Sequence, residues 1–128
     1  MSSELSILAL YGLLVVIIIL VQVLLAIPQV GLSYLASPRD EKRELTGTAG
    51  RSLRCLENSV IAMALFAPAV LILHVQAGFT ATTLLMAQIF LIARAVYVVL
   101  YLTGISWVRT GVWIVGFLAT AYLYLLAL

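Results

Sequence analysis

The chain has 128 residues, of which 65% are hydrophobic and only 9% are charged, and its mean hydropathy is +1.22. Soluble domains have roughly half apolar and a quarter charged residues, so this composition excludes that class and indicates an integral membrane protein. The net charge is +2. The single cysteine excludes an internal disulfide, and the single histidine leaves no imidazole pair for a zinc site. We expect neither a bound metal nor a nucleic-acid partner.

Four apolar stretches are long enough to cross a bilayer. A hydrocarbon core of about 30 Å needs roughly 20 apolar residues per helix, so this length allows four or five spans at most. We predict an all-α four-helix membrane bundle of up-down topology, forming a single domain over 1–128. The predicted spans are about 5–35, 47–76, 80–103 and 108–127.

The first span, which includes "ILALYGLLVVIIILVQVLLAI", is too long for a cleavable signal peptide and has no basic residue before it. Pro28 is expected to kink or end this helix near its last turns. Pro38 and the charged run "SPRDEKRE" then predict a solvated loop. The second helix restarts near Thr46 or Thr48, since either residue is a suitable N-cap.

The second and third helices carry polar residues with matching spacing. Arg51, Arg54 and Asn58 lie at i, i+3 and i+7, and so do the third-span residues Arg94, Tyr97 and Tyr101. Residues so spaced share one helix face. Arg109, at the start of the fourth helix, is expected near one end of the second stripe. An arginine within a span is unfavourable by about 2.5 to 3.5 kcal/mol, so the third-span arginine must face protein, water or an anionic ligand.

Each of these features also has a structural interpretation. Arg51 and Arg54 are compatible with contacts to lipid headgroups, and Glu57 is a possible partner that neutralises Arg94. The two third-span tyrosines, and Trp113 in the last span, also fit interfacial belts or helix packing. The combined pattern favours a ligand, because four arginines converge with one nearby carboxylate. Such an excess of positive charge suits a ligand with several carboxylates.

The distribution of basic residues predicts the orientation. The loop from 36 to 54 contains five Lys or Arg residues, the turn from 103 to 110 contains Arg109, and the turn from 76 to 80 contains none. By the positive-inside rule, both charged loops and the candidate site face the cytoplasm, and both termini lie on the opposite side.

The segment "RSLRCLEN", followed by Phe66 and then by "ARAVYVVLYLTG…R", resembles the MAPEG family, the membrane-associated proteins in eicosanoid and glutathione metabolism. The resemblance extends from about residue 28 to the end and is closest to members like the microsomal glutathione transferases. It implies a homotrimer that binds glutathione between neighbouring subunits, toward the cytoplasmic side, and acts on a hydrophobic small molecule.

The resemblance also implies roles for individual residues. Arg54 and Asn58 match an element that contacts glutathione, with Arg51 on the same face. The third-helix element, again implying contacts to the tripeptide, matches Arg94, Tyr97 and Tyr101. Arg109 matches the arginine that stabilises the glutathione thiolate, which lowers the pKa of the thiol and produces the nucleophile. A lipophilic electrophile would enter from the bilayer between helices.

One position departs from the family pattern. Many members have a glutamate three residues after the asparagine, where it binds the glutathione amino group, and this chain has Ile61 there. Glu57 lies about 100° around the helix from Asn58 and is an imperfect substitute. The alternatives to a glutathione transferase or peroxidase are a non-enzymatic lipid-binding or regulatory protein on the same scaffold, and a site for another anionic thiol or a lipid headgroup.

Overall fold

The computed structural model describes residues 3–38 and 43–128 and confirms the predicted all-α class. Helices are the only regular secondary structure among the described residues, which include no strand. Four of the helices are long and apolar enough to cross a membrane. The helices are α1 (Glu4–Val30), α2 (Leu32–Ala36), α3 (Gly47–Val75), α4 (Ala81–Leu102) and α5 (Trp107–Ala127).

The first helix ends at a glycine rather than at its proline. Pro28 lies inside α1, and Gly31 has a φ of 86°, a backbone conformation that residues with a Cβ rarely adopt. Its N–H donates to the carbonyl of Ile27 at 2.9 Å. The predicted span 5–35 is therefore divided into α1 and the short α2.

The connection that follows is tied back to the bundle. The side chain of Gln29 donates to the carbonyl of Thr46 and accepts from its N–H, both at 2.9 Å. Arg43 donates from Nη1 to the carbonyl of Val30 at 2.9 Å, which satisfies a free carbonyl in the last turn of α1. Arg39 and Lys42, which belong to the predicted basic loop, lie outside the described residues.

Hydrogen bonds at both ends of the bundle establish its up-down topology. At one end, Thr83 donates to the Glu4 carboxylate at 2.6 Å, and Gln76 donates to the carbonyl of Ala127 at 2.9 Å. At the other end, Arg51 Nε donates to the carbonyl of Leu102 at 3.3 Å. Both termini of the bundle thus lie at the first end, and the arginines that flank α3 and α5 lie at the second, which we call the loop end.

Helices α3 and α4 form the centre of the bundle. Each contacts α1, α5 and the other, whereas α1 and α5 do not contact each other within the described residues. An aromatic cluster packs between α1, α3 and α4. The rings of Phe66 and Phe90 stack with centroids 3.9 Å apart, and the ring of Tyr11 meets that of Phe90 edge-on with centroids 4.9 Å apart. Much of the remaining apolar surface is exposed, as expected for helices whose solvent is lipid.

Candidate functional site

Most of the predicted site residues meet between α3, α4 and α5, toward the loop end. They line a cavity of about 220 Å³, which we call the polar pocket. Asn58 comes from α3, and Tyr97 and Tyr101 come from α4. Arg109, Thr110 and Trp113 come from α5. The full lining is Asn58, Tyr97, Tyr101, Arg109, Thr110 and Trp113.

Two tyrosines lie next to each other in this pocket, and one arginine packs against each of them. The Cζ of Arg94 lies 4.2 Å from the ring centroid of Tyr97, and the Cζ of Arg109 lies 4.3 Å from that of Tyr101. The two tyrosine rings meet edge-on with centroids 5.5 Å apart. Each ring face stabilises one cation while leaving the guanidinium N–H groups able to donate. The i, i+4 spacing of the tyrosines on α4 produces this order.

Arg94 is buried without a counterion. It is 2% exposed, and its Nη2 donates to the hydroxyl of Ser59 at 3.1 Å. Its Nε is buried and has no hydrogen-bond partner. Glu57, the acid that the sequence offered as a partner, is exposed, and no ion pair joins the two within the described residues. A buried cation left in this state is costly, so an anionic ligand would be strongly favoured here.

A second cavity of about 110 Å³ adjoins the polar pocket and shares Asn58 and Trp113 with it. We call it the lateral chamber. It lies between α3 and α5, with residues of α4 including Arg94 at its base. A Cβ added to Gly116 would lie 3.7 Å from Cδ of Arg94, an ordinary van der Waals distance, so this part of α5 packs directly against the arginine. The lining is Asn58, Ile61, Ala62, Leu65, Phe90, Arg94, Trp113, Gly116, Phe117 and Thr120.

Two predicted site residues lie outside both cavities. Arg51 donates to the carbonyl of Leu102, and its Nη2 donates to the hydroxyl of Thr48 at 2.9 Å. It therefore joins the start of α3 to the end of α4. Arg54 is exposed and makes no hydrogen bond or ion pair with another described residue. The structure thus brings Asn58, Arg94, Tyr97, Tyr101 and Arg109 together, but not these two arginines.

Comparison with known proteins identifies the family. The model of the MAPEG family matches residues 5–128, which is essentially the whole chain. The chain belongs to the MAPEG family. No curated protein and no solved structure matches it. The MAPEG family includes glutathione transferases and peroxidases as well as other members, and it generally uses glutathione.

Several residues of this MAPEG site were not predicted, among them Thr110, which lines the polar pocket. Trp113 was assigned to a belt or to packing, but it lines both cavities. Its position four residues after Arg109 places it on the same face of α5, a signal that the sequence does contain. Ser59 holds Arg94 and also accepts through its carbonyl from the Tyr11 hydroxyl at 2.7 Å. No spacing rule links Tyr11 to Ser59, because the contact joins different helices.

Among the described residues, the other reactive groups do not form a separate centre. Cys55 is buried, and its Sγ lies 4.0 Å from the Ser59 hydroxyl. Within the part of the chain that the structure describes, no three His, Cys, Asp or Glu side chains are placed to hold a metal ion. The chemistry that the described site offers is therefore recognition by cations, phenols and an amide.

Proposed function

We propose that this MAPEG protein is a glutathione-dependent membrane transferase or peroxidase that acts on a lipophilic electrophile. The observation that carries the proposal is the row of contacts formed by Arg94, Tyr97, Tyr101 and Arg109, of which the last three line the polar pocket. Two guanidinium groups there lack an ion pair with any described carboxylate. Glutathione has two carboxylates and, once ionised, a thiolate, which is the complementary charge.

The proposed roles follow from these positions. Arg109 stabilises the thiolate and so lowers the pKa of the glutathione thiol. Arg94 provides the buried positive charge, and Asn58 contributes an amide whose Oδ1 is buried without a partner. Tyr97 and Tyr101 orient the two arginines and offer hydroxyls to the peptide. These interactions would activate the nucleophile at neutral pH.

The homotrimer is part of this proposal. Arg54 is exposed beyond the pocket, where it would meet a ligand that extends from one subunit toward the next. Arg51 lies one helical turn before it and anchors the end of α4. The extensive apolar surface of the single chain is available for packing against other subunits as well as against lipid.

We further propose that the loop end, with the polar pocket near it, faces the cytoplasm. Arg43, Arg51, Arg54 and Arg109 all lie at this end, and the short turn between α3 and α4 at the opposite end has no basic residue. Short loops rich in Lys and Arg stay on the cytoplasmic side. The pocket would then open toward cytoplasmic glutathione.

The first experiment is a titration of glutathione into the purified protein in detergent, followed by calorimetry and by the ultraviolet absorbance of the thiolate. We expect saturable binding with formation of thiolate at neutral pH. Arg109→Ala should lose the thiolate signal, whereas His74→Ala, an exposed position at the opposite end of the bundle, should retain it. An absence of binding at millimolar glutathione would refute the proposal.

A second function, non-enzymatic lipid binding, is favoured by one observation. Ile61 is 60% exposed and lines the lateral chamber at the position where many family members have a glutamate. This change makes the site more apolar. A lipid-binding protein would show neither thiolate formation nor thiol-dependent turnover, so the same titration separates the two functions.

A further inference from the structure

Ser59 holds the buried arginine of α4 from the neighbouring helix. The Nη2 of Arg94 donates to the Ser59 hydroxyl at 3.1 Å, and both side chains are buried, with exposed fractions of 2% for the arginine and 0% for the serine. Ser59 lines neither the polar pocket nor the lateral chamber. It has no surface with which to touch a ligand, so it can act on a ligand only through its neighbours.

The hydrogen bond fixes an orientation that the aromatic contact leaves open. The Cζ of Arg94 lies 4.2 Å from the ring centroid of Tyr97, and a cation–π contact of this kind is retained when the guanidinium rotates about the normal to the ring. The bond to Ser59 is directional and restricts this rotation. Together the two contacts hold the positive charge against Tyr97, which lines the polar pocket.

A second serine on the same helix shows what a local role looks like. Ser52 is also fully buried on α3, and its hydroxyl donates to the carbonyl of Ala49 in its own helix at 2.7 Å, a common pattern for serine. The Ser59 hydroxyl accepts from a cation on another helix. The two serines therefore form a matched pair, of which only Ser59 contacts Arg94.

Tyr11 fixes Ser59 from α1. Its hydroxyl donates to the backbone carbonyl of Ser59 at 2.7 Å, and a carbonyl has two lone pairs, so it can accept this bond in addition to its helical one. The ring of Tyr11 is fully buried and meets those of Phe66 and Phe90 edge-on, with centroids 6.4 and 4.9 Å apart. These bonds give α1 a connection to the site, although no residue of α1 lines either cavity.

We infer that Ser59 and Tyr11 are positioning residues for anion recognition: Ser59 orients the guanidinium of Arg94, and Tyr11 fixes Ser59. The inference rests on the proposed function, in which Arg94 supplies the buried positive charge that attracts glutathione. Arg109 contacts Tyr101 from the first turn of α5, and this contact involves neither hydroxyl. We therefore expect the affinity for glutathione to depend on the two positioning residues, and the ionisation of the bound thiol to be independent of them.

The first measurement observes Arg94 directly and needs no ligand. Protein with isotopically labelled arginine is placed in phosphatidylcholine nanodiscs, and the exchange of guanidinium hydrogens with water is followed by NMR. The signals of Arg94 are assigned by their absence in Arg94→Lys. We expect them to be protected in the wild type and to exchange at least about tenfold faster in Ser59→Ala, the size of effect that one lost hydrogen bond produces. Tyr11→Phe should change the exchange rate in the same direction.

The chain offers a matched control for each variant. Ser52→Ala removes a buried serine hydroxyl from the same helix. Tyr124→Phe removes a phenol hydroxyl that also donates to a carbonyl of α3, that of Leu65 at 2.5 Å. Neither of these bonds involves Arg94, so both controls should retain the exchange rate and the glutathione affinity of the wild type.

The second measurement is the titration of glutathione into the same variants. In Ser59→Ala and Tyr11→Phe, we expect the Kd for glutathione to rise about three- to tenfold, an effect typical of residues that act on a ligand through another residue. At saturation, the fraction of bound glutathione that is ionised should equal that of the wild type. A substitution that only weakened the bundle would lower the Tm and leave the Kd of the folded protein unchanged.

Two results would overturn the inference. Wild-type exchange of Arg94 in both Ser59→Ala and Tyr11→Phe would show that the hydroxyls do not orient the guanidinium. Faster exchange with an unchanged Kd would show that this orientation has no part in recognition. If Ser59→Ala did not fold, Tyr11→Phe would decide alone, because it keeps the ring and removes only the hydroxyl.

Failure of the proposed function gives a different result. A wild type that has protected Arg94 signals and binds no glutathione would refute the proposed function and, with it, the role in recognition. The exchange rates would still establish or exclude the role of the two hydroxyls in orienting Arg94, since that measurement contains no glutathione.

Discussion

The guanidinium of Arg109 lies over the ring of Tyr101, with its Cζ 4.3 Å from the ring centroid. This contact joins the first turn of α5 to the last turns of α4 across the Thr103–Ser106 connection. It holds a cation at the edge of the polar pocket without an anionic partner among the described residues. The positive charge is thereby positioned and remains available to a ligand.

Substitutions at Tyr101 should test this positioning. Tyr101→Phe retains a ring face for Arg109, so thiolate formation should remain close to that of the wild type. Tyr101→Leu removes the ring face, and we expect glutathione affinity to fall roughly 2- to 30-fold, which corresponds to a cation–π energy of about 0.5 to 2 kcal/mol. Thiolate absorbance at a series of glutathione concentrations measures the glutathione affinity of each variant. An equal loss of affinity in both variants would show that the hydroxyl rather than the ring face is the important group, and an unchanged affinity in Tyr101→Leu would contradict the positioning role of the contact.

Arg94→Leu should separate stability from binding. Replacing a buried, unpaired cation by an apolar side chain is neutral or stabilising by about 1 to 4 kcal/mol. We therefore expect the Tm of the ligand-free protein in detergent to stay the same or rise. The increase in Tm that glutathione causes in the wild type should disappear, because the variant lacks the buried charge.

Arg94→Lys is the matched control, since it retains the charge but not the Nε donor or the planar stack on Tyr97. It should keep part of the glutathione-dependent increase in Tm. A strongly destabilised Arg94→Leu variant that still gained stability from glutathione would show that the arginine is a structural residue of the core.

The sequence predicted the helices more reliably than the partners of individual side chains. Apolar runs of sufficient length indicate membrane helices whatever their neighbours, and the i, i+3, i+7 spacing correctly placed Arg94, Tyr97 and Tyr101 on one face. The break at Gly31 instead of Pro28 was not predicted, because a membrane helix tolerates proline when other groups satisfy the freed carbonyl.

The contacts of the arginines depended on packing between helices. Arg51 and Arg54 have the spacing of a shared stripe with Asn58, yet Arg51 binds the carbonyl of Leu102 at the end of α4 and Arg54 lines neither cavity. The turn geometry after α4 determines where that carbonyl lies. Periodicity along α3 cannot specify it, since the two groups are 51 residues apart.

A double-mutant cycle between Glu4 and Thr83 should show coupling at the end of the bundle opposite the loop end. Glu4 is 4% exposed and accepts from the Thr83 hydroxyl at 2.6 Å. Hydrogen bonds to charged groups contribute about 1.5 to 3 kcal/mol, so Glu4→Leu and Thr83→Val should each lower the free energy of unfolding. The decrease in the free energy of unfolding of the double variant should be smaller than the sum of the decreases in the two single variants. Denaturation in mixed micelles gives the free energy of unfolding of the wild type, the two single variants and the double variant. Strict additivity of the two effects would contradict the coupling.

Gly50→Ala should destabilise the start of α3 although alanine is the better helix former. A Cβ at this position would lie 2.8 Å from the carbonyl oxygen and 3.3 Å from the carbonyl carbon of Leu45. Both atoms belong to the backbone, and the adjacent Thr46 is fixed by its two hydrogen bonds with Gln29. The segment must shift to admit the methyl group, at a cost of about 1 to 3 kcal/mol. Gly111→Ala is the control, because a Cβ there would meet nothing within 4 Å. Thermal unfolding of the two variants should show a lower Tm for Gly50→Ala alone, and equal Tm values would mean that residues 45–46 move freely.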